Sequence, residues 1–169
     1  VSQDQVDQLE QKQRELRGFY KVEFKDEPKT TNYSQKELIV FSRDNMRPVF
    51  KSTKPQPGEI TDSISAFSTL GEIEPANFAI YSGAGVNNLS FSISDLNGKT
   101  DKIAKENVSL QKVVLDERRL TPTGFLSYAL VPDRLEDFKT LSIEPQTSQR
   151  LWLKIRVPDK LKGGDYEGK

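Results

Sequence analysis

Beyond residue 18, the sequence is a series of short apolar stretches separated by Gly, Pro, Asn and Asp. The clearest is Leu151–Val157, where apolar residues at the odd positions alternate with Trp152, Lys154 and Arg156. Such alternation is typical of a β-strand with one buried face. No strand is followed by a long helical pattern, as a parallel α/β sheet would require. The sequence therefore predicts an all-β fold, an antiparallel β-sandwich of the Ig-like or jelly-roll-like kind.

The other strands are predicted from the same alternation or from short apolar runs. They are Tyr20–Phe24, Glu37–Phe41, the Ser/Thr-rich region of Ile60, Ile64 and Phe67, Phe78–Tyr81, Leu89–Ser94, Val108–Leu115 and Phe125–Val131, which ends at Pro132. Val49 and Phe50 form at best an edge strand, because the neighbouring Pro48 cannot donate to a ladder. Between these strands, loops or turns are predicted at Lys25–Lys36, Ser82–Gly85 and Asp95–Gly98, and one helical turn at Arg134–Lys139.

Residues 2–17 differ from the rest, since they lack Gly, Pro and aromatic residues and are rich in Gln, Glu and Asp. Ser2 and Gln5 have the spacing of a capping box, and Gly18 can end a helix. We predict one amphipathic helix, either docked on the domain or serving as a linker, with a short dimerising coiled coil as the alternative. The predicted organisation is a helix or linker at 1–18 and a β-sandwich domain at 19–169.

Composition excludes several classes of function. The 169 residues contain no His and no Cys, which excludes Ser-His-Asp and Cys-His catalysis and thiolate or imidazole metal sites. The 25 basic residues balance the 25 acidic ones, so nothing favours nucleic acid or an acidic membrane surface as a partner. No stretch approaches the ~18 apolar residues of a membrane span. The sequence implies no cofactor and no metal.

Three polar motifs could carry chemistry. Glu72 and Glu74 are paired carboxylates on one strand face, as in glycoside hydrolysis, but with Ile73 facing inward they are better interpreted as a solvated outer face. Asp116–Arg119 is interpreted as a set of salt bridges at a strand end. Asp95–Gly98 lacks the ligand pattern of a calcium loop and is interpreted as a turn. We therefore assign no catalytic residue and no metal ligand.

Aromatic residues are the other candidates. An exposed Trp or Tyr can stack on a sugar ring, because it offers a flat apolar surface at low entropic cost. Trp152 lies on the polar face of its predicted strand, and Tyr81 and Tyr166 are further candidates for carbohydrate binding. The alternative for Trp152 is that a loop, the N-terminal helix or a neighbouring domain covers it.

The C-terminal segment Gln149–Gly168 carries a Trp-bearing strand, then Val157-Pro158, then a Gly-x-Tyr-x-Gly pattern at 164–168. Upstream, residues 71–75 read Gly-Glu-x-Glu-Pro before an apolar strand, and Asn88–Leu96 ends in Asp-Leu. In this order, over about Pro55–Gly168, the motifs resemble the N-terminal β-sandwich domains of bacterial carbohydrate-active proteins. These include glycoside hydrolases of the β-N-acetylgalactosaminidase type and related uncharacterised families.

The resemblance implies a non-catalytic accessory module of a larger secreted or surface protein, with a catalytic domain downstream as its partner. The catalytic carboxylates would lie in that domain, so the chain would be truncated near its last strand. The first 18 residues have no signal-peptide pattern, so an export signal would lie upstream of an extracellular, periplasmic or cell-surface protein. The alternatives are a stand-alone carbohydrate-binding module and a structural or adhesive interaction domain.

Overall fold

The computed structural model describes residues 2–16, 19–22, 33, 38–120 and 126–169. Within them lie one helix, ten strands and two short 3-10 turns. The helix and strands are α1 (Gln3–Leu16), β1 (Phe19–Lys21), β2 (Ile39–Phe41), β3 (Ile73–Ser82), β4 (Val86–Leu89), β5 (Leu96–Asn97), β6 (Lys102–Ile103), β7 (Val108–Arg119), β8 (Leu126–Glu136), β9 (Leu141–Ile143) and β10 (Thr147–Arg156). The 3-10 turns are Pro57–Glu59 and Lys105–Asn107.

Six strands form the main sheet, in the order β1-β8-β7-β10-β3-β2. Every described pair in it is antiparallel except β1 with β8, which is parallel. β4 pairs with β9, and β5 with β6, each as a separate two-stranded unit. The predicted all-β fold with one N-terminal helix is confirmed.

Both faces of the central strands β3 and β10 are covered. On one side, which we call the pair face, Ile80 and Leu151 pack with Leu141 and Ile143 of β9 and with residues of β4. The opposite side, the loop face, carries Ala79, Arg150 and Trp152, and is partly covered by the segment 43–55. A second apolar cluster lies there, made of Tyr33, Ile39, Phe41, Val49, Ala79 and Tyr81. The central strands therefore bury residues at both odd and even positions. Their sequences do not show the simple apolar–polar alternation expected of a sheet with only one buried face.

Helix α1 begins as predicted. Ser2 Oγ accepts a hydrogen bond from Gln5 N at 3.3 Å, and Ser2 N donates to Gln5 Oε1 at 3.0 Å. This reciprocal capping satisfies backbone donors that the first helical turn would otherwise leave unpaired. The side chains described for α1 are exposed, apart from the partly buried Gln11, and the helix contacts β1. In the described part of the chain, no helix is long and apolar enough to cross a membrane.

Two strand predictions are wrong over most of their length. Of the region of Ile60, Ile64 and Phe67, only Ile60 makes a bridge, with Phe41, and residues 61–69 are not in a strand. Residues 90–95 of the predicted strand Leu89–Ser94 also have no ladder, although their burial still alternates. Phe91 packs edge-on against Phe138, with ring centroids 5.5 Å apart. In residues 90–95 the alternation of apolar residues reflects side-chain packing, which does not require a hydrogen-bonded neighbouring strand, whereas Ile64 and Phe67 are exposed.

The second half of the chain holds two more corrections. β8 does not end at Pro132 but continues to Glu136, so the helical turn predicted at Arg134–Lys139 is wrong. A bulge between Pro132 and Arg134 lets the proline stay in the strand. Within the turn predicted at Asp95–Gly98, Leu96 and Asn97 instead form β5, the first strand of the β5–β6 hairpin. Val49 is buried but lies outside any strand. After β10, residues 157–169 form only a single bridge, between Glu167 and Asn97.

Several predictions fall outside the described residues. These are the helix end at Gly18, the strand end at Phe24, the loop Lys25–Lys36 apart from Tyr33, and the strand starts at Glu37 and Phe125.

Candidate functional site

Trp152 lies in the middle of β10, on the loop face, and is partly buried. It pairs with Asn77 of β3 on one side and with Gln111 of β7 on the other. Because directly opposed residues of antiparallel strands share a face, these three side chains form a row across the sheet. Gln111 Nε2 donates a hydrogen bond to Asp137 Oδ1 at 2.8 Å, which extends the row by one residue. We call Asp137, Gln111, Trp152 and Asn77 the Trp152 row.

Arg150 holds the loop that borders this row. Its Nε and Nη2 donate to Asn77 Oδ1 at 2.9 and 2.6 Å, and its other donors reach the carbonyls of Arg47 (2.8 Å) and Asp44 (3.2 Å). Its guanidinium carbon lies 5.7 Å from the Trp152 ring centroid. Burial lowers the pKa of Arg150, and the nearby positive charge of Arg43 lowers it further. The guanidinium therefore fixes both the loop and one side of the indole.

The chemistry of the row suits a polyhydroxylated ligand. An indole ring offers a stacking surface, while an amide and a carboxylate offer donors and acceptors for hydroxyl groups. Gln111 Oε1 is buried and has no hydrogen-bond partner among the described residues. Lys154, two residues along β10 from Trp152, faces the same side and is partly buried.

The other two predicted aromatic residues lie elsewhere. Tyr81 is only 1% exposed and packs edge-on against Tyr33 at 6.2 Å, and burial raises its pKa. Its ring therefore cannot meet a sugar in this structure, which corrects the inclusion of Tyr81 among candidate contacts. Tyr166 is partly buried beside Gly98, and its hydroxyl donates to the Lys162 carbonyl at 2.7 Å. Burial, and then the charge of Asp101, raise its pKa. The three aromatics lie on different elements and form no common platform.

The paired carboxylates Glu72 and Glu74 are separated by the start of β3. Glu72 precedes the strand, where its side chain accepts a hydrogen bond from Thr69 N at 3.1 Å. This bond holds the pKa of Glu72 below its usual value. Ile73 is 51% exposed, so the prediction that it faces inward is wrong. By accepting the hydrogen bond from Thr69 N, the Glu72 side chain stabilises the turn that leads into β3.

The charge cluster at Asp116–Arg119 forms cross-strand ion pairs, as predicted. Arg118 pairs with Asp133, and Arg134 Nε lies 2.8 Å from Asp116 Oδ2. Glu136 pairs with two cations: its Oε1 lies 2.8 Å from Lys112 Nζ, and its Oε2 lies 2.7 Å from Arg134 Nη1. Hydrogen bonds from these cations hold the pKa values of Asp133 and Glu136 below their usual range.

The Asp95–Gly98 region likewise uses its carboxylate for structure. Asp95 accepts hydrogen bonds from Lys102 Nζ at 2.6 Å and Lys105 N at 2.9 Å, and these lower its pKa. Across the described ranges, no group of three or more acidic side chains could hold a metal ion.

Sequence reasoning found Trp152 but missed its neighbours Gln111, Asp137 and Arg150. The positions of Gln111 and Asp137 depend on the register of β7 against β10 and of β7 against β8, whereas Arg150 lies on β10 itself, just before the strand predicted from Leu151. No spacing along the chain encodes that register, because Gln111 and Trp152 come from strands joined by a long connection.

Residues 35–169 match a family model described as the glycoside hydrolase 123 N-terminal domain. Among solved structures, one match is to a family 123 glycoside hydrolase from Clostridium perfringens, from work on glycolipid glycan hydrolysis. It shows 24% sequence identity and a TM-score of 0.50, and covers 59% of this chain but only 18% of that one. At this identity the match supports the fold alone. No curated protein matches the chain.

Proposed function

Because the chain belongs to the family of glycoside hydrolase 123 N-terminal domains, we propose that it is a non-catalytic accessory module of a larger bacterial glycoside hydrolase. The module positions a catalytic domain that follows it, in a protein that is secreted or held at the cell surface. Each described carboxyl group with a shifted pKa has that pKa lowered by a structural partner: Glu72, Asp95, Asp133 and Glu136. A glycosidase general acid needs the opposite, a carboxyl with a raised pKa. The lowered pKa values agree with the non-catalytic assignment, which the match of residues 35–169 to an N-terminal domain model supports most.

Two assays test this proposal. The isolated domain should fold and show no hydrolysis of aryl-glycosides. In the full-length protein, deletion of the domain should reduce activity or stability of the catalytic part. Hydrolysis by the isolated domain that is lost in Glu72→Gln or Glu74→Gln would overturn the non-catalytic assignment. Full activity and stability without the domain would overturn the positioning role.

A second candidate function is contact with glycan at the Trp152 row. The observation in its favour is the partly buried Trp152 beside the hydrogen-bonded pair Gln111 and Asp137, which joins a stacking surface to polar groups. On a glycan array, Trp152→Ala should remove any signal, Trp152→Phe should retain part of it, and Tyr166→Ala tests the second aromatic. An array without binding, or binding that Trp152→Ala leaves unchanged, contradicts this candidate.

The third reading, a structural or adhesive module, depends on α1 as a pairing helix. Its apolar positions Val6 and Leu9 are exposed in this structure. Analytical ultracentrifugation at high protein concentration tests this function. A protein that sediments as a monomer would remove the support for pairing through α1.

A further inference from the structure

Large apolar side chains are exposed in one short stretch of this domain. Ile64 is 39% exposed, Phe67 87%, Leu70 53% and Ile73 51%. We call these four residues the end patch, since Ile73 begins β3 and the others precede it. Transferring such side chains into water is costly, and contiguous exposed apolar patches on soluble proteins commonly mark interaction sites.

The end patch is fixed firmly to the sheet. Gly71 N donates to the Val157 carbonyl at 3.1 Å, and Val157 N donates to the Glu72 carbonyl at 2.9 Å. Glu72 in turn accepts from Thr69 N, which closes the loop between Phe67 and Ile73. A Cβ at Gly71 would come within 2.5 Å of Asp159 Oδ1, so the two segments lie in close contact. Leu70 and Ile73 are therefore presented on a rigid support.

A polar rim borders the patch. Ile73 stands opposite Arg156 at the end of the β3–β10 ladder, and Arg156 is exposed. Asp159 and Lys160, in the segment that follows β10, are exposed as well. An apolar centre with a charged rim is the usual anatomy of an interface between proteins or domains.

The size of the patch favours one kind of occupant. A stable complex between free proteins usually involves about 20–30 residues a side, far more than the four apolar residues here. A tethered domain needs less contact, because its effective concentration at the patch is in the mM range. The patch lies against Val157–Asp159, the start of the segment that leads away from the sheet. From Asp159 the chain runs on to Lys169, whose carbonyl accepts a hydrogen bond from Ser94 N at 2.6 Å. A domain that follows Lys169 is therefore tethered about ten residues from Asp159, a span of at most roughly 35 Å.

We propose that the end patch is the docking surface for the catalytic domain of the same protein, with Phe67 and Leu70 as its principal contacts. This inference rests on the proposed accessory function and adds the surface through which it acts. Only 18% of the matched Clostridium perfringens chain is covered by this domain, so that protein has ample further polypeptide to occupy such a surface.

The test compares the isolated domain with the full-length protein that contains it, each as wild type and as Phe67→Ser/Leu70→Ser. In the isolated domain the double variant should change the melting temperature little, because Phe67 is 87% and Leu70 53% exposed. In the full-length protein it should speed proteolysis between the two domains at least about tenfold, because each large apolar contact contributes that factor or more to docking. Met46→Ser is the control, since Met46 is 90% exposed outside the patch.

Three outcomes would overturn the inference. The first is equal proteolysis of wild type and double variant when deletion of the whole domain still impairs the catalytic part, which leaves the accessory function intact. The second is the same loss in the Met46→Ser control. The third is a wild-type isolated domain that sediments as a dimer and a double variant that does not, since the occupant would then be a second copy. The accessory function itself fails separately, if deletion of the domain has no effect.

Discussion

Arg150 shows how one polar residue can organise a face of the sheet. It is buried, and its described hydrogen-bond partners are the Asn77 amide oxygen and two backbone carbonyls of the Asp44–Arg47 loop. A planar guanidinium suits this task, since its five donors point in fixed directions. Without it, three acceptors would lose their donor and the loop would lose its attachment to β10.

We therefore expect Arg150→Ala to lower the free energy of unfolding by about 1–3 kcal/mol, since the buried Asn77 Oδ1 would be left unpaired. The carbonyls of the exposed Asp44 and Arg47 can bond water instead and add less. Arg150→Lys should recover only part of this loss, because one ammonium cannot reach all three acceptors. Chemical denaturation measures both. Arg156→Ala, an exposed arginine of the same strand and face, is the control, and an equal effect there would contradict this account.

Gly98 is a second position where one residue decides local packing. A Cβ at Gly98 would lie 2.6 Å from Tyr166 Cε1, whereas one at Gly58 would meet nothing within 4 Å. Gly98→Ala should thus displace the Tyr166 ring and cost about 1–3 kcal/mol, as overpacking does. Gly58→Ala should be neutral or slightly stabilising. Thermal unfolding of the two variants checks this, and similar melting temperatures would count against the packing described here.

At the scale of elements, the β7–β8 ladder carries most of the described cross-strand ion pairs. Both Asp133 and Glu136 have lowered pKa values because cations donate hydrogen bonds to them. The folded protein therefore keeps these carboxylates ionised at a pH where the unfolded chain already binds protons. Their contribution to stability is present above the ordinary carboxyl pKa values of about 4 and is lost as the pH falls.

Stability of the isolated domain should thus be nearly constant from about pH 8 to 5 and decrease below that. Asp133→Asn should flatten the acid limb of the curve, since it removes one of the groups that titrate. Urea denaturation at a series of pH values measures the slope. The exposed Asp62→Asn serves as the control, and an unchanged slope in Asp133→Asn would contradict the assignment.

Elements also show where sequence reasoning succeeds. Leu151–Val157 is predicted well, because its alternation coincides with a true ladder on both sides. Leu89–Ser94 shows equal alternation but pairs along only its first residue, and Pro132 stays within β8 through a bulge. Trp152 could be selected as a strand residue among polar neighbours, whereas Gln111 and Asp137 required the cross-strand register. The burial of Tyr81 depends on a loop that covers a second face, which local spacing cannot show.

At the scale of the whole molecule, α1 stands apart from the two apolar clusters. The side chains described for it are mostly exposed, and the family match begins only at residue 35. Deletion of residues 1–16 should therefore change the free energy of unfolding by no more than about 0.5 kcal/mol. Deletion of residues 1–22 should cost more, since β1 pairs with β8 and Val22 N donates to the Tyr128 carbonyl at 2.8 Å. Equal effects of the two deletions, measured by thermal unfolding, would contradict this separation.

The central pair of the sheet has a consequence for how the domain folds. β3 and β10 pair along ten residues, from Ile73 with Arg156 to Ser82 with Thr147, yet residues 83–146 separate them in the chain. Closing so large a loop is slow, whereas β7 and β8 are neighbours in sequence and can pair early. During synthesis, β3 can pair with β2, but its edge toward β10 stays unpaired until β10 leaves the ribosome. The domain therefore gains its core late, and its most aggregation-sensitive interval ends only when nearly all of its residues have been made.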